Sequence, residues 1–155
     1  MSSILVDQYK WVQSSRGDLF NYCASISVED FTRSSPNFGK GGSMRNMFVH
    51  ICNTYQGWLG RYLPSETIIE IEYVTIPTLK ECRDYFEITD ELVSSFLKKY
   101  ENDPYKILNV QEENRVFESN PLHLFTRTIT HEFHHKGQIL SLSRLWGYTP
   151  FGMDN

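Results

Sequence analysis

The chain has 155 residues, 40% hydrophobic and 14% aromatic, which is enough for one sizeable core and too little for two ordinary domains, so a single domain over residues 1–155 is expected. Fifteen Lys plus Arg against nineteen Asp plus Glu leave a formal charge of -4, a poor match to a polyanion, and nucleic acid is not expected as a partner. No apolar stretch approaches the roughly 20 residues of a membrane span and no signal-like start is visible, so a soluble, cytoplasmic protein without a membrane partner is expected.

An alternating spacing of four and three residues keeps one seam of a helix facing its neighbours in a bundle, and it occurs four times. Leu5, Tyr9, Val12, Arg16, Leu19, Cys23 and Ile26 predict a helix over about residues 3 to 27, with Arg16 as its one polar interruption. The loop that follows holds Ser34, Ser35, Pro36 and Gly39 to Gly42, with Lys40 inside. Ser43 is a suitable N-cap for a second helix ending before Pro64, whose seam Met44, Phe48, Ile51, Tyr55, Trp58, Tyr62 is aromatic. Ile69, Ile71 and Tyr73 alternate with Glu70 and Glu72, as a short extended piece would.

A third helix is expected over about residues 77 to 100, with Pro77 in its first turn and Leu79, Cys82, Phe86, Thr89, Val93, Phe96, Tyr100 as its seam. Ile107 to Val110 and Arg115 to Phe117 flank a turn-like stretch at Gln111 to Asn114, which suggests a short β-hairpin before the last helix. That helix starts near Asn120 with Pro121 at its first position and ends at Gly147. Cys23, Cys52 and Cys82 are an odd, widely spaced set near apolar helical positions and read as reduced, buried thiols.

The last seam reads Leu124, Thr128, His131, His135, Gln138, Leu142, Leu145, so two imidazoles and an amide occupy places where packing alone favours Leu or Ile. His131 and His135 lie one turn and about 40° apart on one face, close enough to share an ion. A third ligand from another helix would complete a three-nitrogen face, and His50 in the second helix is the only His upstream of His123. His50 lies on the line Ser43, Met47, His50, Thr54, Gly57, with room left by its small neighbours. The bland alternatives are a hydrogen-bonded structural His50 and a stacked pair of imidazoles bonded to backbone or water. His134 points to the side of His131, and His123 lies two turns away.

Three further motifs fail. His131-Glu132-Phe133-His134-His135 matches the HExxH of zinc proteases, but no His or Glu follows His135 to supply a third ligand, and Gln138 and Ser141 stand where the longer form has Gly and His. A di-iron bundle needs a second ExxH, which is absent. Gly39-Lys40-Gly41-Gly42-Ser43 lacks the spacing of a phosphate loop.

His50 in an aromatic-rich second helix, followed by His131-Glu132-Phe133-His134-His135-Lys136-Gly137-Gln138 in the last, resembles the DinB-like (DinB/YfiT) superfamily over essentially the whole chain. The resemblance implies an all-α four-helix bundle with long crossover connections, frequent homodimers, and a zinc or nickel ion held by His50, His131 and His135 with solvent in the remaining positions. Many relatives carry an acidic residue a few positions after the first His, where this chain has Asn53. Characterised relatives include metal-dependent S-transferases and an isomerase that use a thiol such as bacillithiol, mycothiol or glutathione. The expectation is a metal-dependent S-transferase that takes a small thiol and an electrophile, the alternative being a non-catalytic metal-binding bundle in stress response or a dimeric interaction module.

Overall fold

A computed structural model describes residues 3–39, 42–64 and 70–150. Its frame is four long helices: α1 (Ile4–Cys23), α3 (Met44–Leu59), α4 (Leu79–Lys99) and α5 (Pro121–Leu145), with the short α2 (Val28–Thr32) between the first two. α3 packs along α4 and α5, and α1 packs against the same two helices. Two of the three links between consecutive long helices, α1 to α3 and α4 to α5, therefore cross between elements that are not principal packing partners, as the expected crossover topology requires.

The first seam is buried where the spacing places it, at Tyr9, Val12, Arg16, Leu19 and Cys23. The helix stops at Cys23, short of the expected end near residue 27, because Ser27 opens a new helix: its hydroxyl accepts from the Asp30 N–H at 3.1 Å. α2 then buries Phe31 beside Phe48. The glycine-rich loop closes through a Ser35 N–H to Gly42 carbonyl bond of 2.8 Å. Gly42 has φ +67°, and a Cβ there would lie 2.1 Å from the Ser35 carbonyl oxygen, so only glycine fits. Lys40, Gly41 and Ile69 lie outside the described residues.

Ser43 caps α3 as expected, accepting from the Asn46 N–H at 3.1 Å. Met44, Phe48, Ile51 and Tyr55 are buried, but the seam then passes to Leu59, and Trp58 and Tyr62 turn half outward. A straight helix drifts about 20° per heptad, which after two heptads rotates the last seam positions off the core. Pro77 falls just outside α4, with Thr78 as N-cap and Leu79 as its first residue, so the helix starts two residues later than expected. All of Cys82, Phe86, Thr89, Val93, Phe96 and Tyr100 are buried. Phe20 stacks on Phe48 at 4.8 Å and meets Phe86 edge-on at 5.5 Å, which joins α1, α3 and α4 at the centre.

Two expected extended pieces fare differently. Ile71 and Tyr73 form no strand; Tyr73–Thr75 is a single 3-10 turn. The Asn53 side chain replaces a strand partner, donating to the Ile71 carbonyl at 2.9 Å and accepting from its N–H at 3.0 Å. The carboxamide serves both backbone groups because its donor and its acceptor are separate atoms. The hairpin does form, β1 (Leu108–Glu112) against β2 (Arg115–Ser119), antiparallel with Leu108 opposite Ser119 and Glu112 opposite Arg115. Its turn is Glu113-Asn114, narrower than the Gln111 to Asn114 stretch expected, and Glu113 has φ 46°. α5 begins at an Asn120 cap with Pro121 next to it and ends with Gly147 at φ 90°, where the Tyr148 N–H returns to the Ser143 carbonyl at 3.0 Å. Among the described residues, no helix is long and apolar enough to cross a membrane.

Candidate metal centre

α3 and α5 run beside each other, and this pairing brings His50 to His131 and His135. His131 Nε2 lies 3.0 Å from His50 Nε2 and 3.1 Å from His135 Nε2. The three rings are mutually edge-on, with centroids 4.4–4.8 Å apart. Three ring nitrogens aimed at one another cannot all be satisfied pairwise, since each N–H···N bond uses one donor and one lone pair. A cation accepts all three lone pairs. Metal–nitrogen bonds of about 2.0–2.1 Å put nitrogens about 2.9 Å apart at a right angle and about 3.4 Å apart at a tetrahedral angle, a range that includes both measured separations. The group can therefore hold a metal ion, and it comprises the three histidines the sequence singles out.

The surroundings fix the protonation this needs. His135 Nδ1 lies 2.6 Å from Gln138 Oε1, an acceptor, so Nδ1 carries the proton and Nε2 presents its lone pair. Burial, and then the neighbouring His135, His50 and His134 rings, hold the His131 imidazole down to about 3, so it is neutral across the physiological range. His131 Nδ1 is buried and has no hydrogen-bond partner among the described residues. His134, itself exposed, meets the His135 ring edge-on and His123 bonds to Ser119, so both stand outside the cluster. In the Lys136-Gly137-Gln138 run, Lys136 donates to Ser15 on α1 at 2.6 Å, Gly137 faces open space, and Gln138 orients His135.

Glu132 does none of the work the HExxH string suggests. It is buried, and Arg16 grips it with Nε at 2.7 Å from Oε1 and Nη2 at 3.1 Å from Oε2, while the Tyr55 hydroxyl donates to Oε2 at 2.6 Å. Arg16 reaches Asp90 on α4 as well, at 2.7 Å, and the Tyr9 hydroxyl donates to the same Asp90 oxygen at 2.5 Å. Burial pushes the Tyr9 and Tyr55 phenols well up, and the Glu132 carboxylate holds the Arg16 guanidinium charged against its burial. One buried charge network thus binds all four long helices, and its carboxylate is too fully engaged to act as a general base. Tyr55, a member of the aromatic seam, is fully buried in this network. Phe133 is exposed.

A cavity of about 300 Å³ opens beside His50, walled by Asn53, Thr54, Gly57 and Trp58 of α3. Its far wall is the hairpin, which two arginines hold in place: Arg61 donates to the Gly57 and Gln111 carbonyls at 2.5 and 2.7 Å, and Arg127 donates to Glu112 at 3.2 Å. Arg127 lies over the Trp58 ring at 3.8 Å and Arg61 at 5.7 Å. The contribution of the hairpin to this wall had no sequence signal, because it depends on contacts about fifty residues apart. The three cysteines are buried and unpaired, and burial pushes the Cys23 and Cys82 thiols up to about 12 and Cys52 well up, so none is a nucleophile at neutral pH.

Comparison with curated proteins returns no match. Residues 1–155 match the family described as the DinB family, so the whole of this helical chain, with its three-histidine group between α3 and α5, belongs to the DinB family.

Proposed function

We propose that this protein is a zinc- or nickel-dependent S-transferase that joins a low-molecular-weight thiol to a small electrophile. The observation that carries the reading is the convergence of the His50, His131 and His135 ring nitrogens, with His50 itself lining a cavity of about 300 Å³. Three neutral imidazoles suit zinc or nickel and add no negative charge. Bound there with open positions, such an ion supplies the charge that keeps a thiol ionised near neutral pH. Gln138 fixes the donor tautomer of His135, and the glycine at 57 leaves space two helical turns from His50. Trp58 offers an apolar face against which an electrophile can lie. In the transfer, the thiol proton passes to solvent, sulfur supplies the electron pair of the new S–C bond, and the leaving group departs with its own pair.

The same reading includes a homodimer, for which the exposed Ile4 and Trp11 on α1 offer an apolar patch; sedimentation velocity tests it. Metal content and turnover test the rest. The purified protein is expected to carry about one zinc or nickel per chain, with loss in His50→Ala, His131→Ala and His135→Ala but not in His134→Ala. Metal-loaded protein is then incubated with bacillithiol, mycothiol, glutathione or cysteine and monochlorobimane. Conjugate formation that needs both metal and His50 supports the transferase. Full metal in the His135 variant refutes the site, and conjugation no faster than in the His50 variant with every thiol leaves a non-catalytic metal-binding bundle as the better account.

A further inference from the structure

The mouth of the cavity carries charges of which several have no oppositely charged partner among the described residues. Glu112 is held by Arg115 and Arg127, so it is already compensated. Arg61 differs: its two hydrogen bonds go to backbone carbonyls, and among the described residues it has no carboxylate partner. Glu70 and Glu113, which line the same cavity, have no cationic partner among the described residues either. Glu113 is carried there by a hairpin turn that puts a non-glycine residue at φ 46°, a costly conformation at a position where glycine or asparagine is ordinarily favoured. The cavity thus reaches the histidine group through His50, and its rim offers one cation and two anions.

We propose that the cavity selects a zwitterionic thiol of amino-acid type, whose carboxylate pairs with Arg61 and whose ammonium sits between Glu70 and Glu113 while its sulfur points to His50. The inference rests on the thiol reading of the site and adds the charge pattern of the substrate. A thiol with one of these charges gains one contact, and a neutral thiol gains none. At about 300 Å³ the cavity is at the small end of ligand pockets, which suits a molecule short enough to touch both the rim and the histidines.

Four thiols of similar length separate the terms: cysteine carries both charges, cysteamine the ammonium, 3-mercaptopropionate the carboxylate and 2-mercaptoethanol neither. Cobalt-substituted full-length protein is titrated with each, and the sulfur-to-cobalt absorption band gives Kd without any turnover. Each charge is expected to tighten binding about threefold, as partly exposed ion pairs do, so that cysteine binds about tenfold tighter than 2-mercaptoethanol. Glu70→Gln/Glu113→Gln should erase the advantage of cysteamine and leave that of 3-mercaptopropionate. Arg61→Gln should do the reverse. Arg61→Lys, which keeps the charge but loses the two backbone bonds, should retain the preference for 3-mercaptopropionate, and this separates recognition from the hairpin anchor. Equal affinity for all four thiols, or a ranking unchanged by these variants, overturns the charge pattern while the thiol site stands. A band with none of the four overturns the thiol reading and the charge pattern with it.

Discussion

Arg16→Met is the sharpest perturbation of the bundle, because methionine keeps most of the volume and removes only the charge and its hydrogen bonds. The Arg16 and Glu132 side chains are 4% and 7% exposed, so water replaces little of what is lost. Two bonds to Glu132, at 2.7 and 3.1 Å, and one to Asp90, at 2.7 Å, disappear together. Glu132 is then a buried carboxylate with only the Tyr55 hydroxyl to hold it. Removing one partner of such a pair costs about 3–5 kcal/mol, whereas the Asp90 arm, 25% exposed, adds little because solvent reaches it. For a chain of this length each kcal/mol moves the melting point by about 2–4 °C, so a fall of about 6–20 °C is expected. Urea unfolding of chelated protein at pH 7 measures the loss without a contribution from metal. Arg16→Met/Glu132→Leu should lose less than the two single variants together, by about 1–3 kcal/mol, since it removes both charges. A loss below about 1 kcal/mol in Arg16→Met, or simple additivity in the double variant, refutes a dry, coupled network.

Two glycines should respond in opposite directions. Gly42→Ala forces a Cβ to 2.1 Å from the Ser35 carbonyl oxygen at φ +67° and is expected to cost at least about 2 kcal/mol, whereas a Cβ at Gly57, inside α3, meets nothing within 4 Å and Gly57→Ala should gain about 0.5–1 kcal/mol; denaturant midpoints of both variants decide, and equal shifts would contradict the packing. The metal-free protein should also lose stability in acid through His131, whose folded-state value of about 3 lies below the ordinary 6.5. Above pH 6.5 the imidazole is neutral in both states and contributes no dependence; below it the unfolded chain takes the proton first, and the loss grows by up to about 1.4 kcal/mol per pH unit until about pH 3. Comparing the unfolding of wild type and His131→Asn from pH 7.5 to 4.5 isolates this contribution, and parallel curves would rule it out.

The long helices and the histidine group were legible because both express a helical period: polar residues at seam positions 131, 135 and 138 stand out against Leu124 and Leu142. Arg16 stood out by the same logic, yet its partner did not, because Glu132 drew attention as part of HExxH. The signal was present: Glu132 lies on the line Phe125, Ile129, Glu132, Ile139, all buried, so a buried acid on one helix faced a buried base on another. The aromatic seam of α3 leaves a strict 3.5-residue rhythm at Trp58, because the helix has 3.6 residues per turn and drifts off that rhythm. The missing strand at Ile71 turns on one amide, Asn53, and the cavity wall turns on Arg61 and Arg127 reaching the hairpin. Such contacts join residues far apart in the chain and leave no local pattern.

The three histidines come from only two of the four long helices. An ion at that place would act as a clip between α3 and α5, joining positions 81 residues apart, while α1 and α4 depend on Arg16 and the aromatic core for their attachment. Cooperative opening need not then be uniform. Backbone amides of α3 and α5 around the clip would exchange with solvent only on global unfolding, and those of α1 and α4 could open first, so the loaded protein would divide into a slow half and a fast half that the metal-free bundle does not distinguish.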